Sequence, residues 1–543
     1  LLLTGYSILA APQYAYRVSF ANKGGTVLNL SNPLSFLSQR AIDRRNRLGI
    51  SIDSSDLPVS PVYLQNVLTL TGGILHVTSR WLNDCVVLLS DSTQIHQLDN
   101  KPYVIATKFV GYYSAPLHSK HSDDTAEVIN SSAAQRTTGS AAYYGSGPWA
   151  QTNMVHGDFL HDMGYKGEGM IIAVLDDGFA SINTDPYYTT LISSGRLVDQ
   201  YNFVLRSATA NMIENHGVQC LSTMAANIPG QYVGSAPNAK YVIYSTEQQF
   251  SERPIELDNF VAGLERADSV GVDVVSSSLG YNTFDDPALN LTFSELDGAT
   301  TVAARGVNWA TRKGMLIIMS AGNEGGDTWN NILTPGDADS SLTIGNVDAN
   351  GVIAGNSGFG PNAAGVQKPD VCTLGFPASI VLNGAVTGGT GTSFSTPQIA
   401  GWAACLWQSS PTAKPYDIRH AINKCADHYT TPDNHRGYGI PNFQCAYATL
   451  SVGTLDTTHA AWLVLMNGNP FTDNITLQIN SSNLEGVHFS LTDMSGKVLW
   501  KTEQQVTPKQ EFTLTFPHTL PTGMYVLKAT SDSHTQSLRL IKQ

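Results

Sequence analysis

Met170-Ile171-Ile172-Ala173-Val174-Leu175 runs directly into Asp176-Asp177-Gly178. Six apolar residues without alternation fit a strand buried on both faces. Tyr241–Tyr244, Val272–Val275 and Met315–Met319 read the same way, with longer helical segments between them. Strands that alternate with helices predict a parallel sheet between two helical layers, a three-layer α/β domain. Residues 151–452 carry this pattern.

The pattern changes on both sides. Residues 14–115 mix strand-like alternation, as in Tyr16-Arg17-Val18-Ser19-Phe20, with a polar helical stretch around 38–48, which predicts a small α+β domain. Residues 116–150 are rich in Ser, Thr, Ala and Gly, the composition of an exposed linker open to processing. Within residues 1–13, Leu1-Leu2-Leu3 through Ala10-Ala11 reads as the tail of a signal-peptide core followed by small residues. After a second linker at 453–466, residues 467–543 alternate with period two: Ile475, Leu477 and Ile479; Phe489 and Leu491; Phe512, Leu514 and Phe516; Tyr525 and Leu527. Turn signals at Met494-Ser495-Gly496-Lys497 and Pro521-Thr522-Gly523 punctuate them, and about seven short strands predict a β-sandwich.

Composition narrows the function classes. A chain of 543 residues is too long for one core. With 42% apolar and 14% charged residues it is neither disordered nor a coiled coil. Its net charge of −13 and the lack of a Lys/Arg run argue against nucleic acid as a partner. No apolar run reaches the ~18 residues of a membrane span. Six cysteines form no CxxC pair, which speaks against zinc. Cys425 and Cys445 leave two readings open: one bridge in an oxidising compartment, or two buried thiols.

In open parallel sheets, functional groups collect beyond the C-terminal ends of strands. Asp176-Asp177-Gly178 follows the first run, Ser276 to Gly280 the Val272–Val275 run, and Ser320-Ala321-Gly322-Asn323-Glu324-Gly325 the Met315–Met319 run. Two helix starts add to them. His216-Gly217 opens a small-residue helix, and Gly391-Thr392-Ser393-Phe394-Ser395-Thr396-Pro397 opens an apolar one. Pro397 belongs in the first turn of that helix, where its missing N–H costs nothing.

These blocks, in the order Asp, His, Ser, resemble the signature blocks of the subtilisin-like serine proteases. Gly234-Ser235-Ala236-Pro237-Asn238-Ala239 is similar to a further block of that family. The resemblance covers roughly 150–450 and implies a secreted serine endopeptidase. Asp176, His216 and Ser393 would form its triad, and Asn323 would supply the oxyanion-hole amide. It also implies that Ser278-Leu279-Gly280 pairs with extended substrate and walls the S1 pocket together with Ser320-Ala321-Gly322. Neither wall carries a charge, so an open pocket for apolar P1 side chains is expected. The chemistry needs no cofactor. Subtilases often hold structural calcium, but no Asp-rich loop here identifies ligands.

Three positions depart from the family pattern. Asp177 stands where Ser or Thr is common, as in the kexin-like branch, which leaves two readings: it favours a basic P2 residue, or it is a solvent-facing turn residue. Ser222 replaces a usual Gly on the His216 helix. Cys220, one turn beyond His216, is expected to pack beneath it as a small buried residue.

The flanks have resemblances of their own. Asn32-Pro33-Leu34-Ser35-Phe36-Leu37-Ser38 through Arg44-Arg45-Asn46-Arg47, then Asp56-Leu57-Pro58-Val59, resembles the propeptide of secreted bacterial subtilases. Such a propeptide implies a zymogen whose cleft is covered until the 116–150 linker is cut. Arg44-Arg45 reads as an exposed helix face rather than a dibasic cleavage site. Asn469-Pro470-Phe471, Leu491 to Val498 and Thr522 to Leu527 resemble the sorting domain of type IX secretion cargo. That implies the type IX machinery as a partner and a place outside a Gram-negative cell, secreted or on its outer surface. Substrates would be proteins or peptides. The alternative is an inactive subtilase fold used for binding or adhesion; such a chain would lack a triad residue, and this one lacks none.

Overall fold

The computed structural model describes residues 13–113 except 27, 140–453 except 249–250, and 462–542 except 468–469, 480–484, 494–496, 508–509 and 532–534. The expected leader at 1–13 therefore lies almost wholly outside the described residues, as do Asn469 and Met494-Ser495-Gly496.

Seven strands form the central sheet, in the order Val371–Phe376, Leu342–Asp348, Leu316–Ser320, Val274–Ser277, Ile171–Asp176, Lys240–Ser245, Leu197–Asn202. Every neighbouring pair is parallel. The unbroken run at 170–175 serves both faces. Ile172 and Val174 join a core with Leu221, Ile399 and Trp402, while Ile171, Ala173 and Leu175 join one with Phe260, Leu264 and Val307. The first core belongs to helices His216–Ala225 and Thr392–Ser409, the second to helices Ile255–Val270 and Val302–Arg312. This is the three-layer α/β domain expected.

The Val272–Val275 run is strand only in its second half. Its strand begins at Val274, because Asp273 interrupts the apolar residues. Asp273 is buried and accepts the Ile171 N–H at 3.0 Å, so it caps the neighbouring strand's start. The folded part also begins earlier than residue 151. Ser140–Tyr144 and Ser146–Met154 are helices, because Tyr144 and Trp149 stack (centroids 5.9 Å apart) and bury apolar rings against the main core. Residues 116–139 of the expected linker lie outside the described residues.

The N-terminal domain is a four-stranded antiparallel sheet in the order Ile74–Ser79, Asp84–Leu89, Gln13–Phe20, Val104–Tyr113. Helices Gln39–Leu48 and Pro61–Thr71 complete it. Residues of this domain bind the Ile255–Val270 helix through buried ion pairs. Arg17 donates to both oxygens of Asp258, at 2.6 and 2.7 Å. Asp268 takes Arg45 at 2.8 Å, Arg80 at 2.7 Å, and Arg44 as well. Arg44 and Arg45, expected on an exposed helix face, are the reverse: their side chains are 1% and 0% exposed. A basic pair on a helix reads as solvated only while its partners are unseen: Asp268, more than 200 positions away, for both, and Asp56 for Arg45 as well.

The C-terminal region forms two antiparallel sheets. One holds Leu463–Asn467, Asn474–Ile479 and Glu511–Thr515; the other holds Val498–Val506, Glu485–Asp493, Gly523–Thr530 and Thr535–Lys542. Ile475, Leu477, Phe489, Leu491, Leu514 and Leu527 share one core between them, so the period-two residues point inward. The first strand starts at Leu463, inside the segment read as a second linker.

Burial alone would raise the Asp268 carboxyl, but Arg44, Arg80 and Arg45 outweigh it and hold the group below its ordinary value. A carboxylate depressed in the fold stabilises above its ordinary range, near pH 4, and the gain is lost as pH falls through the depressed value. In a chain kept uncut by Ser393→Ala, Asp268→Asn should cost about 3–5 kcal/mol, because it strands buried cations. Thermal unfolding should show this at neutral pH, with the gap between the two proteins closing in acid. An unchanged Tm at neutral pH would contradict the role assigned to this carboxylate.

Candidate active site

Strand ends and helix starts deliver the site. Asp176 is the last residue of its strand. Asn323 lies three residues past the strand Leu316–Ser320. His216 is the first residue of its helix and Ser393 the second of another. All four line one cleft, so the residues named from the sequence come together.

His216 Nδ1 donates to Asp176 Oδ1 at 2.7 Å, and the Asp177 N–H reaches the same oxygen at 2.9 Å. Asp176 is fully buried; the His216 side chain is 14% exposed, open on its other edge. The two elements fit closely because residue 217 is glycine. A Cβ there would stand 2.6 Å from the Gly178 carbonyl and 2.8 Å from Asp176 Cβ. The Gly217 N–H instead donates to Asp177 Oδ1 at 3.0 Å.

Pro397 lies further into its helix than its first turn. A proline there removes the bond that would end on the carbonyl four residues back, which is that of Ser393. The freed Ser393 carbonyl accepts from Ser278 Oγ at 2.8 Å and from Cys220 Sγ at 3.4 Å. The missing helical bond thus ties the serine to the substrate-side strand and to the His216 helix. Asn323 Oδ1 accepts the Thr392 N–H at 2.9 Å and Thr392 Oγ1 at 3.1 Å. With its oxygen used as acceptor, the amide presents its donor end to a ligand. Ser222, the unusual residue on the His216 helix, bonds the Val381 N–H at 3.0 Å and fastens that helix to the strand Ala378–Leu382.

Of the expected substrate-binding residues, Ser278, Leu279, Gly280, Ser320, Gly322 and Asp177 line the cleft. Ala321 does not. It is fully buried, its N–H is bonded to the Ile344 carbonyl, and its own carbonyl accepts from Leu333. The S1 walls are expected to carry no charge of their own, but carboxylates stand around them. Glu247, Glu252 and Glu324 line it beside Asp177. A Cβ on Gly322, which has φ +97°, would stand 2.5 Å from Glu324 Oε2, so a carboxylate borders that wall. Glu324 follows Asn323 directly and was open to view in the sequence. Glu247 and Glu252 lie past the C-terminal end of the Tyr241–Tyr244 run, where the strand-end rule also points.

Burial, reinforced by the charge of Asp176, pushes Asp177 up to about 7, against the pull of His216 and the Gly217 and Gly178 N–H groups. Burial and then Glu252 raise Glu247, and burial and then Glu247 raise Glu256. Two sets of side chains bring metal-ligating atoms close together among the described residues: Asp176, His216 and Cys220, and Glu247, Glu252 and Glu256. The first is the acid–imidazole pair with a neighbouring thiol.

Residues 167–439, half the chain, match the model of the subtilase family. The chain belongs to that family. Residues 15–127 match the peptidase S8 propeptide domain of Bacteroidota, and 468–543 match a secretion system C-terminal sorting domain. The chain is 26% identical over 296 residues to subtilisin DY of Bacillus licheniformis, which spans 54% of this chain and 96% of that one. It is 27% identical over 301 residues to subtilisin Savinase of Lederbergia lenta, spanning 55% and 98%. The epidermin leader peptide processing serine protease of Staphylococcus aureus has a similar fold, with TM-score 0.55 and 15% identity over 82% of this chain and all of that one. The protein is thus a subtilisin-family serine protease that carries a propeptide and a secretion-sorting tail.

Cys220 of this subtilase lies 3.9 Å from both ring nitrogens of His216, beneath it as expected. Burial pushes its thiol up to about 12, with His216 pulling the other way, so it stays protonated and is no nucleophile. Cys425 and Cys445 form a disulfide, which decides between the two readings left open. Cys85, Cys220, Cys372 and Cys405 are buried thiols. Iodoacetamide at about pH 8 should therefore label none of them in the native uncut chain, four after unfolding, and six after unfolding with reduction. Mass spectrometry counts the adducts, and alkylation of native Cys220 would contradict its burial.

Proposed function

We propose that the protease works through an acyl-enzyme on Ser393. The Ser393 hydroxyl is a poor nucleophile until a base takes its proton. His216 acts as that base, and Asp176 holds its tautomer and stabilises the imidazolium. Ser393 Oγ bonds to the scissile carbonyl carbon, and the oxyanion is met by the Ser393 N–H and the Asn323 amide. Collapse breaks the C–N bond as His216 gives its proton to the leaving amine. Water then repeats the cycle on the ester and frees the acid. The observation that carries this is the 2.7 Å His216–Asp176 bond in the cleft that also holds Ser393 and Asn323.

The N-terminal domain acts as inhibitor and docking partner in the uncut chain. Near the end of its last strand, Val104–Tyr113, a Cβ on Gly111 would stand 3.6 Å from Arg253 and Pro254, on the loop that brings Glu252 to the cleft. Processing after this domain would free the loop that borders the substrate subsites. Ser278-Leu279-Gly280 offers main chain to an extended peptide in the same cleft. The sorting tail directs the protein through type IX secretion across a Gram-negative outer membrane, to release or to surface attachment. Among the described residues no helix is long and apolar enough to cross a membrane.

A fluorophosphonate probe should label the matured wild type and leave Ser393→Ala unlabelled. Asn323→Ala should keep labelling slowly and lose about 100- to 1,000-fold in kcat with little change in KM, the range set by removing such a donor from a subtilisin. Labelling that survives Ser393→Ala, or an Asn323→Ala enzyme of normal kcat, would refute the assignment.

A further inference from the structure

The propeptide domain meets the catalytic domain on one face of its sheet. By register, Ala15 and Arg17 of the strand Gln13–Phe20 share that face with Asp84, Val86 and Leu88 of the strand Asp84–Leu89. Ala15, Val86, Leu88 and Val110 pack with Ile255, the first residue of the Ile255–Val270 helix. Asp84 is the odd member of this row. It is 4% exposed, and among the described residues no donor reaches its carboxyl group. Its neighbours on the flanking strands are Ser19 and Ser79, neither of them a cation. The helix sets two further carboxylates near it, Asp258 and Glu265. Both already have their donors. Arg17 donates twice to Asp258, and Glu265 accepts from Ser79 Oγ at 2.6 Å and from the Arg80 and Trp81 N–H groups at 2.9 and 3.1 Å. The cations that act on Asp84 are Arg17, committed to Asp258, and Arg305, an exposed residue of the Val302–Arg312 helix.

A carboxylate without a donor, shut from water beside two others, is costly to keep charged. Burial, then the charge of Asp258, pushes Asp84 up to about 8 against the pull of Arg17, and Glu265 adds to the rise. The helix that supplies both charges lies over the Asp84 face only while the two domains are together. On a released domain Asp84 faces water and titrates near 4. Between these two values docking takes up a proton, so the complex is tightest at the lower pH and weakens as pH rises toward the raised value. His76 works in the other direction. Its Nε2 donates to Asn259 Oδ1 of the same helix at 2.9 Å, and burial pushes the ring down to about 4 against that bond, with Arg206 acting as burial does. Docking therefore expels a proton from His76 only below its ordinary value near 6.5. The two exchanges offset each other from about pH 4 to 6.5, and above that Asp84 acts without the counterweight. Burial also raises Glu265, against Arg80, which adds in the same sense as Asp84, while Asp268, held low by its arginines, matters only in acid.

We propose that the propeptide docks with one proton held on Asp84, and that rising pH loosens it from the catalytic domain. Docked Asp84 is a carboxylic acid; on the freed domain it is a carboxylate, and the proton goes to water. Once the linker is cut, the complex stays closed at mildly acid pH and opens in neutral to alkaline surroundings. The arginine pairs hold the two domains in register, and Asp84 sets the pH at which they part. The proposal rests on the docking role given to the N-terminal domain above.

The test uses the full chain with Ser393→Ala, cut within 116–139 by a foreign protease whose recognition sequence is inserted there, so that both parts come from one folded protein. Size-exclusion chromatography over a dilution series, at one ionic strength, gives the Kd of the cut propeptide. It should rise about tenfold from pH 6.5 to 7.5. Asp84→Asn keeps the shape of the protonated group, so its Kd should be flat over that interval and lower than that of the parent protein at pH 7.5. Asp84→Ser is a second neutral variant should the first not fold. Asp43→Asn, which changes an exposed carboxylate of the same domain, should keep the parent slope. A flat Kd in the parent overturns the proposal, as does a slope that the Asp84 variants retain. A Kd that rises instead as pH falls from 7.5 to 6.5 would point to His76 and also overturn it. A cut propeptide that dissociates at every pH refutes the docking role beneath this inference; one that docks without pH dependence refutes only the inference.

Discussion

The hydrogen bond from His216 to Asp176 joins two layers of the fold. Asp176 ends an interior strand of a seven-stranded sheet, and His216 begins a helix that packs on one face of it. At 2.7 Å the contact tolerates no side chain at residue 217, and the turn 176–178 fits against the helix start only because that residue is glycine. The same turn offers Asp177 to the Gly217 N–H. Through Cys220 and Ser278 the constraint reaches the Ser393 carbonyl, which Pro397 leaves without a helical partner. The proton-transfer pair and the serine are therefore positioned by backbone commitments made in four separate elements.

The sheet and the four central residues were legible in the sequence because unbroken apolar runs mark doubly buried strands and polar residues at their ends mark the rim. The same rule, followed past Tyr244, leads to Glu247. The burial of Asp273 is not legible in its apolar stretch, because a buried carboxylate needs partners, and these are the Ile171 N–H and Arg40 from distant parts of the chain. Arg44 and Arg45 were misread for the same reason. Their burial depends on Asp268, and nothing in a basic helix announces an acidic helix elsewhere. Local patterns report propensity and periodicity, whereas these charges are decided by tertiary pairing.

Charge divides the molecule into two acidic surfaces with different fates. On the outer side of the Ile255–Val270 helix, Asp258 and Asp268 are matched by arginines of the propeptide, so the uncut chain carries its own countercharge. At the start of the same helix, Glu256 lies behind Glu252 and Glu247, which line the cleft, and no lysine or arginine is among its described lining residues. One helix thus anchors the inhibitor along its length and borders the substrate subsites at its N-terminus. Docking and recognition are linked by a common rigid element.

The central claim is that His216 activates Ser393 because Asp176 holds it, and the most direct measurement is kcat of Asp176→Asn on a peptide substrate at neutral pH. The substitution keeps the shape and removes the charge that orders the imidazole. A fall of about four orders of magnitude, with KM little changed, is predicted from triads of this kind. A loss of less than tenfold would contradict the account.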